Sequence, residues 1–410
     1  MPAFWPLRAI RPAAGMSGEV VSLPYDVVET EEARELAKRQ KHSFYHVVRS
    51  EIDFPPGADP YGPEIYEKAR SNFLALLDQG VLIRDTEEAF YLYRLKRGSQ
   101  VQTGIVGLVG VDDYRSGSIK RHELTRREKE ADRIKHIDTL SACTGPVFLA
   151  YRSRAAGDLL SLVNQLFASG DVLYSDRFDD VEHSVVRIQD PALVEALGSR
   201  ARSLEYFYIA DGHHRAASAA QVVQERRDRG KLDHRGAFLA VIFADDELKI
   251  LPYNRAVCDL NGHSPDSLLT RIQEVAHVTE DRGQALELHM VRVLLKEQSY
   301  VLSFKPELYQ NADAISALDV SLLQDHILKP VLGIEDPRSS DRIKFVGGIH
   351  GEAGLRTLLD SGSYQVAFSL FPTSLAELFA VADNDAIMPP KSTWFEPKLR
   401  SGYFIYELGT

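Results

Sequence analysis

Asp211, Gly212, His213, His214 and Arg215 stand consecutively behind the apolar run Tyr206-Phe207-Tyr208-Ile209-Ala210 and ahead of Ala216-Ala217-Ser218-Ala219-Ala220. Aromatic and β-branched residues favour a strand and alanines a helix, so the five residues fall on a strand-to-helix turn. The first N–H groups of a helix have no intrahelical acceptor and lie at the positive end of its dipole, which makes such a turn an anion site. Gly212 lets the backbone approach a ligand closely, and Arg215 can grip a phosphate through two parallel hydrogen bonds. Asp211 adds a carboxylate able to take a proton or hold a metal ion. The chemistry indicated is the handling of a phosphate or another small anion. Asp-Gly is also an ordinary turn, and His and Arg beside a helix start can simply be solvated. Five such residues packed at one junction favour the functional reading, because loops of this kind preferentially carry sites.

A second polar concentration runs from Ile119 to His136. Lys120, His122 and Glu123 follow a short strand, where catalytic groups are commonly displayed. A helix starting at Glu123 or Thr125 would place Arg126, Glu130 and Arg133 on one face. The competing reading is a solvated helix laced with ion pairs. A third concentration, Met388 to Lys398, sets Lys391-Ser392-Thr393 between prolines. It reads either as a fixed loop able to reach an anion or as a packed surface turn. No metal spacing typical of zinc is present, and Gly104, Gly107 and Gly110 do not have the dinucleotide spacing.

The elements that position these residues alternate between helix and strand. Helical spacing covers Thr30 to about Gln40, Pro63–Gln79, 156–168, 191–200, the stretch after Arg215 up to Gly230, Ser264 to about Val275, and Leu318–Leu328. Strand patterns cover Ser43–Arg49, 147–151, 171–175, 183–188, Ala237–Phe243, 299–304 and Arg342–Gly348. Ala89–Arg94 and Gln102–Val111 read as a hairpin, and Asp245-Asp246-Glu247 reads as the turn of another, leading into Leu248–Arg255. The expected fold class is mixed α+β. A first part, 1–255, holds the phosphate-type core, and an α+β C-terminal part, 256–410, follows.

The chain has 410 residues, a length that suggests two or three domains. Lys and Arg number 48 against 59 Asp and Glu, a net charge of −11 that disfavours nucleic acid or an anionic membrane as general partner. Cys143 and Cys258 are too few for a disulfide framework and fit a reducing setting. The first residues lack a signal-peptide pattern, and no apolar run approaches the ~20 residues of a membrane span. A cytoplasmic location is expected.

Five stretches resemble the family called domain of unknown function 1015: Leu23–Val28, Ile119–Glu123, Ile209–Arg215, Leu251–Arg255 and Pro390–Phe395. They span nearly the whole chain in order. The Asp211–Arg215 turn is also similar to the phosphate-binding box of the ParB/sulfiredoxin superfamily, which includes free-serine kinases. That resemblance implies a ParB/sulfiredoxin-like core in which Gly212, His214 and Arg215 hold nucleotide phosphates and Asp211 lies beside the transferred group. His213 stands where sulfiredoxin has its reactive Cys, which argues against sulfinic-acid repair.

The leading expectation is a small-molecule kinase that uses ATP or ADP with Mg²⁺ and a hydroxylated metabolite, free L-serine first. Gly212, His213, His214 and Arg215 would cradle the nucleotide, and Lys120 and Arg126 would offset charge on the transferred group. Asp211 or Glu123, with His122 nearby, would accept the hydroxyl proton, and Asp211 would help bind Mg²⁺. The alternatives are a nucleotide- or metabolite-sensing protein without turnover, and a metal-dependent hydrolase built on His122, Glu123, His213 and His214.

Overall fold

The computed structural model describes residues 1–230 and 235–409. The chain forms a mixed α and β fold that divides into two compact units. The first comprises Met1–Arg121, Thr125–Leu248 and Pro397–Thr410, and the second His122–Leu124 and Lys249–Glu396. The cut expected near Arg255 falls within the strand Tyr253–Val257 of the second unit, and the last residues of the chain belong to the first.

The first unit is built on a nine-stranded sheet. Its strands are β1 (Phe4–Trp5), β2 (Phe90–Arg97), β3 (Gln100–Gly110), β4 (Ile119–Lys120), β5 (Val147–Tyr151), β6 (Val172–Phe178), β7 (Val181–Ile188), β8 (Phe207–Asp211) and β9 (Ala237–Ala244). The order is β4-β8-β5-β9-β3-β2-β7-β6, with β1 added against β3. The hairpin expected from the sequence is the antiparallel pair β2–β3, in which Tyr93 faces Gly104. All eight residues of β9 and the first four of β8 are buried, the pattern of strands covered on both faces.

Two helices position the polar residues: α1 (Arg127–Leu140) and α2 (His213–Asp228). Ala216, Ala217, Ala219 and Ala220 make the buried side of α2 small enough for close approach. Ser218 Oγ donates to the Glu130 carbonyl at 3.1 Å, and Arg226 pairs with Asp138 at 3.1 Å, fixing α1 against α2. The charged helix is therefore packed as well as solvated: Arg126 is exposed, but His136, Ile137 and Leu140 are buried.

The second unit contains a six-stranded sheet ordered 276–280, 299–304, 290–294, 366–370, 253–257 and 343–347. Three sequence expectations are corrected here. Leu248–Arg255 is not the return arm of a hairpin with β9. Ile250–Leu251 pairs with Trp394–Phe395, and Tyr253–Val257 enters the six-stranded sheet, so distant partners replaced the local one. Ser43–Arg49, rich in strand formers, contains a short helix, Tyr45–Val48; Phe44, Tyr45, Val47 and Val48 join a buried cluster whose packing overrides propensity. The helix expected to Leu328 changes to π geometry over Gln324–Leu328. The basic loop before Ala237 lies largely outside the described residues.

Ala216 is fully buried, so Ala216→Leu should destabilise the protein by about 1–3 kcal/mol through overpacking. Urea denaturation measures this, and unchanged stability would show that α2 is not closely packed.

Candidate phosphate site at the Asp211–Arg215 turn

β8 ends with an irregularity that aims Asp211. Tyr208 faces Ala150 and Ile209 faces Leu149 on β5, but Asp211 faces Phe148, so Ala210 is an extra residue. A bulge of this kind bends the strand and redirects the following side chain. Gly212 then turns the chain in the left-handed region, with φ +95°, and becomes the N-cap of α2. A Cβ there would stand 3.0 Å from Arg215 Nε and 3.1 Å from its Cζ. Glycine is thus required twice, by the backbone and by the guanidinium lying over it. As the N-cap, Gly212 offers no side-chain hydrogen bond to the start of α2.

The charges form a compact cluster. Lys398 Nζ donates to Asp211 Oδ2 at 2.8 Å, and Arg215 Nη2 lies 3.8 Å from Asp211 Oδ1. Arg215 Nη1 donates to the Pro146 carbonyl, while its buried Nε has no hydrogen-bond partner among the described residues. Burial alone would raise the Asp211 pKa. The charges of Lys398 and Arg215, the Lys398 hydrogen bond and His213 outweigh it and hold the carboxyl well below the usual carboxylate range. The backbone N–H of Arg126 donates to His214 Nε2 at 2.9 Å, tying the start of α1 to the turn.

Arg215 also lines a small pocket of about 30 Å³, whose wall includes Tyr25, Arg133, His136, Thr144 and Ser401. Arg133 Nη2 lies 2.7 Å from Asp132 Oδ2, and its guanidinium sits 4.1 Å over the Tyr25 ring. Tyr66 donates its hydroxyl to Asp132 Oδ1 at 2.9 Å, which fixes that carboxylate. His136 Nε2 contacts the Val47 carbonyl at 2.9 Å. Burial, with the Arg133 charge nearby, pushes its pKa down to about 3, so the ring is neutral.

The structure therefore brings Asp211, Gly212, His213, His214, Arg215 and the backbone of Arg126 into one turn. Lys120 lies on β4, paired in parallel with Tyr208, and its ammonium sits 5.1 Å over the Tyr206 ring. His122 and Glu123 belong to the second unit. There His122 is buried, its carbonyl accepts from Met388 N–H at 2.8 Å, and its Nε2 is 3.5 Å from Thr393 Oγ1. In the same unit Arg255 donates to the carbonyls of Pro390 and Lys391 at 3.3 and 3.1 Å, holding that loop. Sequence reasoning did not assign Lys398, Arg133 or Tyr25 to the site. Lys398 was within the third polar concentration and Arg133 within the second, but no local pattern marks either as buried.

The chain belongs to the family described as protein of unknown function (DUF1015), whose model matches residues 4–321. No curated protein matches the chain. Among solved structures, a free serine kinase in complex with AMP is similar at 14% identity and TM-score 0.36, over 74% of this chain and 90% of that one. SbnI with a C-terminal truncation, from Staphylococcus aureus, is similar at 11% identity and TM-score 0.38, over 72% and 85%. A conserved hypothetical protein from Pyrococcus furiosus is similar at 14% identity and TM-score 0.35, over 72% and 93%. Each is a distant likeness. No helix among the described residues is long and apolar enough to cross a membrane.

The ion pair gives a signed prediction. The folded-state pKa of Asp211 is depressed below its unfolded value of about 3.9, so its stabilisation is fully present above that pH. It is lost as pH falls below about 4 toward the folded-state value. Asp211→Asn should cost on the order of 3 kcal/mol at pH 7, by leaving Lys398 unpaired, and should lose less further stability on acidification than the wild type. Denaturant titrations at pH 7 and pH 3 check both, and parallel losses in the two proteins would refute the pairing.

Proposed function

We propose that this member of the DUF1015 family binds ATP or ADP at the Asp211–Arg215 turn and transfers a phosphoryl group to a small hydroxylated metabolite, with L-serine the starting candidate. The observation that carries the reading is the Arg215 guanidinium laid over the left-handed Gly212 at the start of α2, with Lys398 beside Asp211. Phosphoryl transfer is chiefly positioning and neutralisation of charge, and this arrangement supplies both. Gly212, His213, His214 and Arg215 hold the phosphates, while Lys120 and Arg126 offset developing charge.

A carboxylate held as low as Asp211 is a weak proton acceptor at neutral pH. We therefore assign it to placing Lys398 and Arg215, and to being the one carboxylate of the turn that can reach Mg²⁺. Mg²⁺ is commonly held by one or two carboxylates together with substrate phosphates, which suits a single acid. Among the described residues no group of three or more metal-ligating side chains lies together.

The second reading is a nucleotide sensor without turnover, favoured by the engagement of Asp211 with cations rather than with a proton. Purified protein incubated with Mg²⁺, ATP or ADP and a panel of hydroxylated metabolites, read by mass spectrometry, separates the two. Transfer predicts a phosphorylated product that Asp211→Ala lowers on the order of 10²-fold or more. Full activity in that variant would defeat the assignment. Nucleotide binding without product from any acceptor would establish the sensor.

A further inference from the structure

In the second unit one carboxylate holds a histidine by three contacts. The backbone N–H of His289 donates to both oxygens of Asp319, at 3.0 and 3.1 Å, and its Nδ1 lies 3.0 Å from Oδ1. The imidazole stacks on the Tyr309 ring with centroids 3.6 Å apart. His289 adopts φ +67°, a left-handed backbone that a non-glycine residue keeps only where its surroundings enforce it. Asp319 is buried, and no lysine or arginine pairs with it among the described residues. Glu377, on the helix Leu375–Asp383, is the charged group whose field reaches both members, and Tyr309 is the titratable group against the ring. Nε2 of His289 makes no hydrogen bond among the described residues, and the side chain is 17% exposed.

Two proton arrangements fit the same heavy atoms. With Asp319 ionised, Nδ1–H donates to Oδ1, and Nε2 is an acceptor. Uptake of one solvent proton at Nε2, with transfer of the Nδ1 proton to Oδ1, gives a neutral acid that donates back to Nδ1. Nε2–H is then a donor, and the pair has lost its net negative charge. Both backbone bonds to Asp319 survive the exchange, so the ring stays where it is while the proton moves. Burial pushes Asp319 up to about 7, with the His289 backbone bond opposing and the Glu377 charge adding. Burial also holds the His289 imidazole below its ordinary value against the pull of Glu377, which disfavours an imidazolium. We propose that the His289–Asp319 pair is a proton-operated tautomer switch, which offers an acceptor at Nε2 above neutrality and a donor below it. The hydrogen bonds that this position of the second unit can make to a partner or ligand then depend on pH.

The test is long-range ¹H–¹⁵N NMR of the imidazoles in the ¹⁵N-labelled full-length protein, from about pH 5 to about pH 8.5. His289→Gly identifies the signals by their loss, and glycine suits the left-handed backbone there. The ring should stay neutral throughout, with its proton on Nδ1 at the upper limit and on Nε2 at the lower. Asp319→Asn should abolish the exchange. The folded-state value of Asp319 stands above the unfolded ~3.9, so the pair's stabilisation is whole below about pH 4 and is lost as pH rises through about 7. The difference in urea stability between wild type and Asp319→Asn should follow that course. Glu377→Gln is the second variant, for use if Asp319→Asn does not fold, because glutamine can keep the capping box with Ser374. It should lower the midpoint while keeping both tautomers. Protons on both ring nitrogens at the lower limit, a single tautomer throughout, or an exchange that persists in Asp319→Asn would overturn the proposal. So would a midpoint unmoved in Glu377→Gln.

Discussion

The first unit depends on the junction where Asp211 meets Lys398 and Arg215. Lys398 is 187 residues away in sequence, so the pair draws the last segment of the chain onto the end of β8, next to the edge of the sheet. Burying a carboxylate is costly unless cations and hydrogen bonds compensate, and here two cations do so from opposite oxygens. The same compensation leaves the surrounding charge positive. In the proposed function the group that neutralises Asp211 also offers a charge to a phosphate.

Arg215 borders both the turn and the small pocket beside it. One edge of its guanidinium lies over Gly212 and toward Asp211, and its side chain also lines the pocket with Arg133 and Tyr25. The Pro146 carbonyl anchors it between them. In the proposed function this side chain receives a phosphate at the turn. Rigid support matters for such a role, and the locking of α1 to α2 through Ser218–Glu130 and Arg226–Asp138 supplies it.

The junction was legible because every local signal agreed: strand formers before Asp211, a glycine where a positive φ is needed, and alanines after. The hairpin β2–β3 was legible for the same reason. What failed was decided by distant partners. Ile250–Leu251 finds Trp394–Phe395 instead of a neighbouring arm, and Phe44–Val48 yields its strand propensity to a buried cluster. Arg133 was hidden by its type, since period alone cannot show that a charged residue faces inward when Asp132 and Tyr25 receive it. Lys398 carried no signal beyond its place in a proline-rich loop, because an ion pair across the length of the chain leaves no pattern in either segment.

The central claim is that Arg215, over Gly212, receives the phosphates of a nucleotide. Its most direct measurement is a ³¹P NMR titration of ADP with the wild type and with Arg215→Met. The account predicts saturable shifts of the phosphate resonances in the wild type that are abolished or strongly weakened in the variant, while the variant stays folded. Phosphate shifts unchanged by Arg215→Met, or none in the wild type, would contradict it.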